Sequence, residues 1–66
     1  MCLSTAYKIE KKPENELMRN VMLVSTDHGV VTLTDIMGRE LSFAGEVACA
    51  DLTAGTLVLR PDEKGQ

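Results

Sequence analysis

Few side chains in this 66-residue chain could carry nucleophilic or metal chemistry: Cys2, Cys49, His28 and four methionines. Covalent catalysis has little to start from, because the chain holds no Gly-x-Ser-x-Gly elbow and no glycine-rich phosphate loop. Serines and aspartates accompany His28, but a single histidine in a turn does not make a triad. The chain therefore reads as a protein that is not an enzyme. Metal binding is the better lead. A closed tetrahedral zinc site needs four strong ligands; two cysteines and one histidine supply three, and no Cys-x-x-Cys or Cys-x-x-His pair occurs. One subunit alone is not expected to build such a site.

Cys2 is distinguished by its place. If Met1 is removed, the α-amine and thiol of Cys2 close a five-membered chelate ring. If Met1 stays, its amine, the deprotonated Cys2 amide and the thiolate form two fused rings. Either donor set suits a planar N,S site, which favours Ni(II) or Cu(II), whereas soft thiolates also attract Cu(I). Two copies of Cys2 at a dimer axis would give four donors to one ion. The plainer alternative is a small residue that starts a strand. Cys49, among Val47, Ala48 and Ala50, is expected to be a buried thiol acting as a small hydrophobe. A bond between Cys2 and Cys49 is not expected in a reducing cytoplasm. His28 reads as a solvated turn residue, with a role as an alternative nickel donor left open.

The elements that must position these groups follow a period of two, with β-branched residues throughout. Leu3, Thr5, Tyr7 and Ile9 share one face of a first strand, which the Lys-Lys-Pro-Glu-Asn loop at 11–15 breaks. A second strand runs over 16–25, with a helix over 14–23 as its rival. Its run Val21-Met22-Leu23-Val24 is apolar on both faces, as in a strand covered by the sheet on one side and by a partner subunit on the other. After the turn Thr26-Asp27-His28-Gly29 come the strand Val30-Val31-Thr32-Leu33-Thr34 and the turn Asp35-Ile36-Met37-Gly38. Residues 39–44 alternate, with Leu41 and Phe43 inward, and Gly45 marks a bend between two halves of a barrel. Residues 46–50 form a strand. A turn at 51–55 then leads to a last one at 56–60, with Leu57 and Leu59 inward. The expectation is all-β: a small antiparallel barrel of five to seven short strands, in one domain over 1–60, with a polar C-terminal tail at 61–66.

Composition narrows the partners. Seven basic and ten acidic residues give a net charge of −3, and Tyr7 and Phe43 are the only aromatics. Neither a basic stripe nor stacking platforms for nucleic acid are present, so no nucleic-acid partner is expected. With no apolar run near 18 residues and no secretory signal pattern, the expectation is a cytoplasmic protein without a membrane partner. Small size points to another requirement. Folding would bury about 6,300 Å², contributing on the order of 95 kcal/mol, while ordering the chain costs about 100 kcal/mol. A homodimer would relieve that shortfall.

The stretches Met1-Cys2-Leu3-Ser4-Thr5-Ala6-Tyr7, Met18-Arg19-Asn20-Val21, Val31-Thr32-Leu33-Thr34-Asp35-Ile36-Met37-Gly38 and Asp51-Leu52 ahead of Leu57-Val58-Leu59 resemble the CooT family. Its members are small nickel-binding proteins, some associated with maturation of nickel-dependent carbon monoxide dehydrogenase. The resemblance spans roughly residues 1–60. It implies a homodimeric SH3-like barrel that binds Ni(II) at Cys2, with Met1 as its neighbour at the site, and acts as a nickel carrier or chaperone. The implied partners are a nickel enzyme or its assembly factors. The reading from a different class is a small barrel that contacts protein or RNA without a metal role, since fold alone does not decide function.

Overall fold

The computed structural model describes residues 3–62. Five strands follow in order: β1 (Ser4–Lys8), β2 (Glu16–Asp27), β3 (Val30–Asp35), β4 (Glu40–Asp51) and β5 (Thr56–Pro61), with one 3₁₀ turn at Pro13–Asn15 between β1 and β2. The segment 14–23 that could have been a helix is therefore a strand from Glu16 onward, and its four-residue apolar run lies within that strand. Each strand is antiparallel to the next, and β5 returns to β1 to close the sheet. That last pairing is parallel, with Thr5 beside Thr56 and Lys8 beside Leu59. The antiparallel barrel expected from the sequence thus holds for the four successive pairings, and the closing seam alone is parallel. With an odd number of alternating strands, the first and last must point the same way, so closure is parallel by necessity.

Two strands are long rather than short. β2 and β4 have 12 residues each, because each serves two neighbours in turn. β2 pairs with β1 through residues 16–21 and with β3 through residues 21–27. It changes partner at a bulge that skips Met22, next to Asn20 at φ 57°. β4 pairs with β3 through 40–44 and with β5 through 45–51. Gly45 is the bend, as expected, although the strand runs through it without a break. A Cβ there would lie 2.0 Å from the carbonyl oxygen of Arg60, so the backbones of β4 and β5 meet at a distance that only glycine permits. The β2–β3 turn is tight, with His28 at φ 53° and Gly29 at φ 78°, a pair of left-handed residues suited to a two-residue hairpin.

The core is small: Ala6, Val21, Val31, Leu33, Leu57 and Leu59 are buried, with Leu17, Met18, Val24, Leu41, Phe43 and Val47 packed against them. Leu41, Phe43, Leu57 and Leu59 lie where alternation put them. β1 differs. Ser4 and Ala6 face inward, whereas Leu3 and Ile9 are exposed. The inward positions of β1 carry small side chains beside large ones, Ser4 pairing with Val21 and Ala6 with Leu57. The chain exposes 4654 Å², above the roughly 4,100 Å² typical of a monomer of this mass.

Candidate functional site

Met1 and Cys2, the expected metal residues, lie outside the described residues, and the structure begins at the next position. Leu3 leads into Ser4, whose Cα pairs with Val21 of β2, and Val21 in turn pairs with Asp35 at the end of β3. Three strands therefore meet beside the N-terminal segment. On the other flank, the N–H of Thr5 donates to the carbonyl of Gly55 at 2.9 Å. The 51–55 turn is itself braced: Asp51 Oδ1 accepts from the N–H groups of Thr53 and Ala54 at 3.1 and 3.0 Å, and the Asp51 carbonyl accepts from Gly55 at 2.8 Å. An aspartate at the first position of a turn favours this side-chain cap.

Asp35 is a feature that pattern reading took only for a turn residue. It is 2% exposed and its carboxylate organises the β3–β4 connection. Oδ1 accepts from the N–H groups of Met37 and Arg39, each at 2.9 Å, and Oδ2 accepts from Arg39 Nε at 2.8 Å. Burial pushes its pKa up, but the Arg39 and Met37 N–H donors and the Arg39 guanidinium outweigh that and hold the carboxyl below its usual value. The N–H of Ile36 also donates to the carbonyl of Asn20 at 3.1 Å, tying this turn to the β2 bulge. The signal for the turn was in the sequence, an Asp followed by Gly38 three positions on. Nothing local indicated that the carboxylate is buried.

Large apolar side chains stand exposed around this junction. Leu3, Met22 and Ile36 are chain neighbours of the Ser4, Val21 and Asp35 positions that pair across the strands, and Met37 follows. Leu52, 70% exposed, belongs to the turn that holds Thr5. Leu23 is also exposed, so the doubly apolar stretch of β2 has one covered face and one open face among the described residues.

The other candidate residues are elsewhere. His28 is 91% exposed at the β2–β3 turn, with Nδ1 2.7 Å from Asp27 Oδ1. It borders a shallow recess of about 540 Å³ shared with Asp27, Gly45 and Glu46. Glu46 is engaged by Arg60 at 2.6 Å. Cys49 corrects the expectation of a buried thiol: it is exposed. The register of β4 against β5 shifts between Val47 and Cys49, and this bulge takes Cys49 out of the alternation that puts Val47 inward. Among the described residues, no three His, Cys, Asp or Glu side chains converge on a common metal position. Every buried side-chain nitrogen or oxygen there has a hydrogen-bond partner, so none is left aimed at a missing ligand. No described helix is long and apolar enough to cross a membrane.

Comparison with known proteins gives a consistent picture. The crystal structure of a CooT candidate from Carboxydothermus hydrogenoformans superposes with a TM-score of 0.81 at 14% identity, covering 94% of this chain and 100% of that one. At that identity the likeness establishes the fold. No protein of curated function matches the sequence. The family model for CooT, the CO dehydrogenase accessory protein, matches residues 1–60. That span includes Met1, Cys2 and all five strands except the last residue of β5. The chain therefore belongs to the CooT family, as an accessory protein of CO dehydrogenase and not an enzyme itself.

Proposed function

We propose that the chain is a Ni(II) carrier for maturation of a nickel enzyme such as carbon monoxide dehydrogenase, and that Cys2 holds the cargo. The thiolate of Cys2 and adjacent backbone nitrogen, including that of Met1 where it is retained, form the donor set. A homodimer brings two such sets to one ion. The observation that carries this reading is the family match over residues 1–60, which includes the Met1-Cys2 opening. Two features of the fold support it. The described side chains offer no converging group of three donors that would compete for the ion. The exposed apolar residues Leu3, Met22, Ile36, Met37 and Leu52 adjoin the N-terminal segment, where a second copy would cover them and add the burial that 66 residues lack. The subunit is read as an SH3-like barrel working in the cytoplasm, its partners being the receiving enzyme or its assembly factors.

Because the donors must lose protons, affinity falls on acidification. Titration of the protein and of Cys2→Ser with Ni(II) tests the reading, following thiolate-to-metal charge-transfer absorption and reading stoichiometry by native mass spectrometry. Expected are a charge-transfer band that needs Cys2 and a dimeric mass carrying the metal. Equal binding by Cys2→Ser would remove the proposed ligand.

A further inference from the structure

We propose that the outer edge of β4 over residues 46–51 is a strand-addition site for an extended peptide segment of a partner protein that carries basic side chains. The site is built from described residues alone and does not depend on what Met1 and Cys2 bind.

Although the sheet closes, β4 is not paired on both sides along its length. β3 begins at Val30, opposite Ala44 of β4. The Gly45 N–H still reaches the Gly29 carbonyl at 2.8 Å, and there the pairing with β3 ends. From Glu46 to Asp51, β4 pairs with β5 alone. Successive residues of an antiparallel strand turn their N–H and C=O groups to opposite sides. Gly45 turns to the β3 side, so Val47 does too, past the end of β3. Such an edge is a template for another chain. Glu46 and residues 48–51 are exposed, and Ala48, Cys49 and Ala50 are too small to cover the backbone.

The register names the occupant. Glu46, Cys49 and Asp51 sit opposite Arg60, Val58 and Thr56, alternate residues of β5, so these three share one face of the sheet. An added strand places every second side chain on that face: a basic one beside Glu46, an uncharged one beside Cys49 and a basic one beside Asp51. At the Glu46 end the edge opens on the recess of about 540 Å³, lined by Asp27, Glu46 and Val47 among others, which has room for an arginine side chain. Asp27 and Asp51 form no ion pair with a described lysine or arginine, and Glu46 has Arg60 alone. The edge therefore carries surplus negative charge. A second copy is the wrong occupant, because antiparallel pairing of two such edges sets Glu46 opposite Asp51 at both ends, and like charges facing across a ladder destabilise it.

The test uses Cys2→Ser, in which Cys49 is the one thiol, and an acetylated, amidated heptapeptide, Thr-Arg-Thr-Val-Thr-Arg-Thr. At ten times its Kd the peptide should slow modification of Cys49 by a disulfide reagent about tenfold, since only the free fraction reacts. It should also slow exchange of the Val47 amide in the unsubstituted protein. Asp27→Asn and Glu46→Gln should each weaken binding about two- to fivefold, the range of an exposed ion pair. The same peptide with glutamate for arginine, and one with its ladder N–H groups methylated, should leave Cys49 and Val47 as they are without peptide. No protection up to millimolar peptide overturns the proposal. Equal binding by the methylated peptide shows attraction by charge without a ladder and overturns it, and equal binding by the glutamate peptide removes the basic partner. Protection of Cys49 that rises with protein concentration, with no peptide added, would make a second copy the occupant and overturn it as well.

Discussion

Gly45→Ala is the substitution whose effect can be worked most directly from the fold. The added methyl would sit 2.0 Å from the Arg60 carbonyl oxygen, 3.0 Å from the Arg60 carbonyl carbon and 3.0 Å from Phe43 Cε1. To reach ordinary contact, β4 and β5 must separate by more than an ångström where β4 changes partner. The hydrogen bond that spans the two strands at this corner, Asp62 N–H to the Ala44 carbonyl at 3.0 Å, would lengthen with it. Overpacking a closed site costs about 1–3 kcal/mol, and weakening that hydrogen bond adds about 0.5–1.5 kcal/mol. We therefore expect a loss of roughly 3 kcal/mol. A chain of this length has a total stability on the order of 3–10 kcal/mol, so a large share disappears and Tm falls by about 12–24 °C. Gly29→Ala is the control, since its methyl enters open space and it carries only the left-handed penalty of about 1–2 kcal/mol. Urea and thermal unfolding by far-UV circular dichroism, at one fixed protein concentration because a dimer's Tm depends on it, would measure both. If Gly45→Ala loses no more than Gly29→Ala, the close backbone approach is not what glycine serves at this corner.

Two further expectations concern single side chains. The Asp35 carboxyl has a folded pKa below its unfolded value, so the unfolded chain binds the extra proton. Its contribution to stability is complete above about pH 4, the ordinary carboxylate range, and is lost as pH falls through the lower folded value. In urea midpoints, the gap between the unsubstituted protein and Asp35→Asn should narrow on acidification from pH 6 to pH 2.5; a constant gap would contradict the stated role. Cys49, being exposed, should react with a disulfide reagent without unfolding, and Cys49→Ser should change stability by less than about 0.5 kcal/mol while leaving the nickel charge-transfer band intact. Reaction of Cys49 only in urea would place the thiol inside.

Much of the fold was legible because antiparallel strands write a period of two between turn residues. The turns at Asp27-His28-Gly29, Asp35 to Gly38 and Asp51 to Gly55 could be located from Asp and Gly alone, whose short acceptor and missing Cβ suit them to those positions. Leu57 and Leu59 could be placed inside because Thr56, Val58 and Arg60 alternate with them. The prominence of Cys2 was also a property of sequence: it is a thiol at the second position of a family match that begins at residue 1.

Other features depended on contacts far apart in the chain. Alternation tells which residues share a face but not which face turns inward, and in β1 it is Ser4 and Ala6 that turn inward, beside Val21 and Leu57. A bulge moves every later residue to the other face, so Cys49 came out to solvent where its apolar neighbours suggested burial. The parallel seam between β1 and β5 follows from strand count, which is known only once the long β2 and β4 are seen to serve two partners each. The burial of Asp35, and the approach of Gly55 to Leu3 from 52 positions away in sequence, exist only in the closed sheet. Sequence thus determined most of the strands and turns and singled out Cys2 as the ligand proposed for nickel. Tertiary structure decided which faces close on the core and what holds the segment next to that residue, because both depend on distances between strands that no local pattern contains.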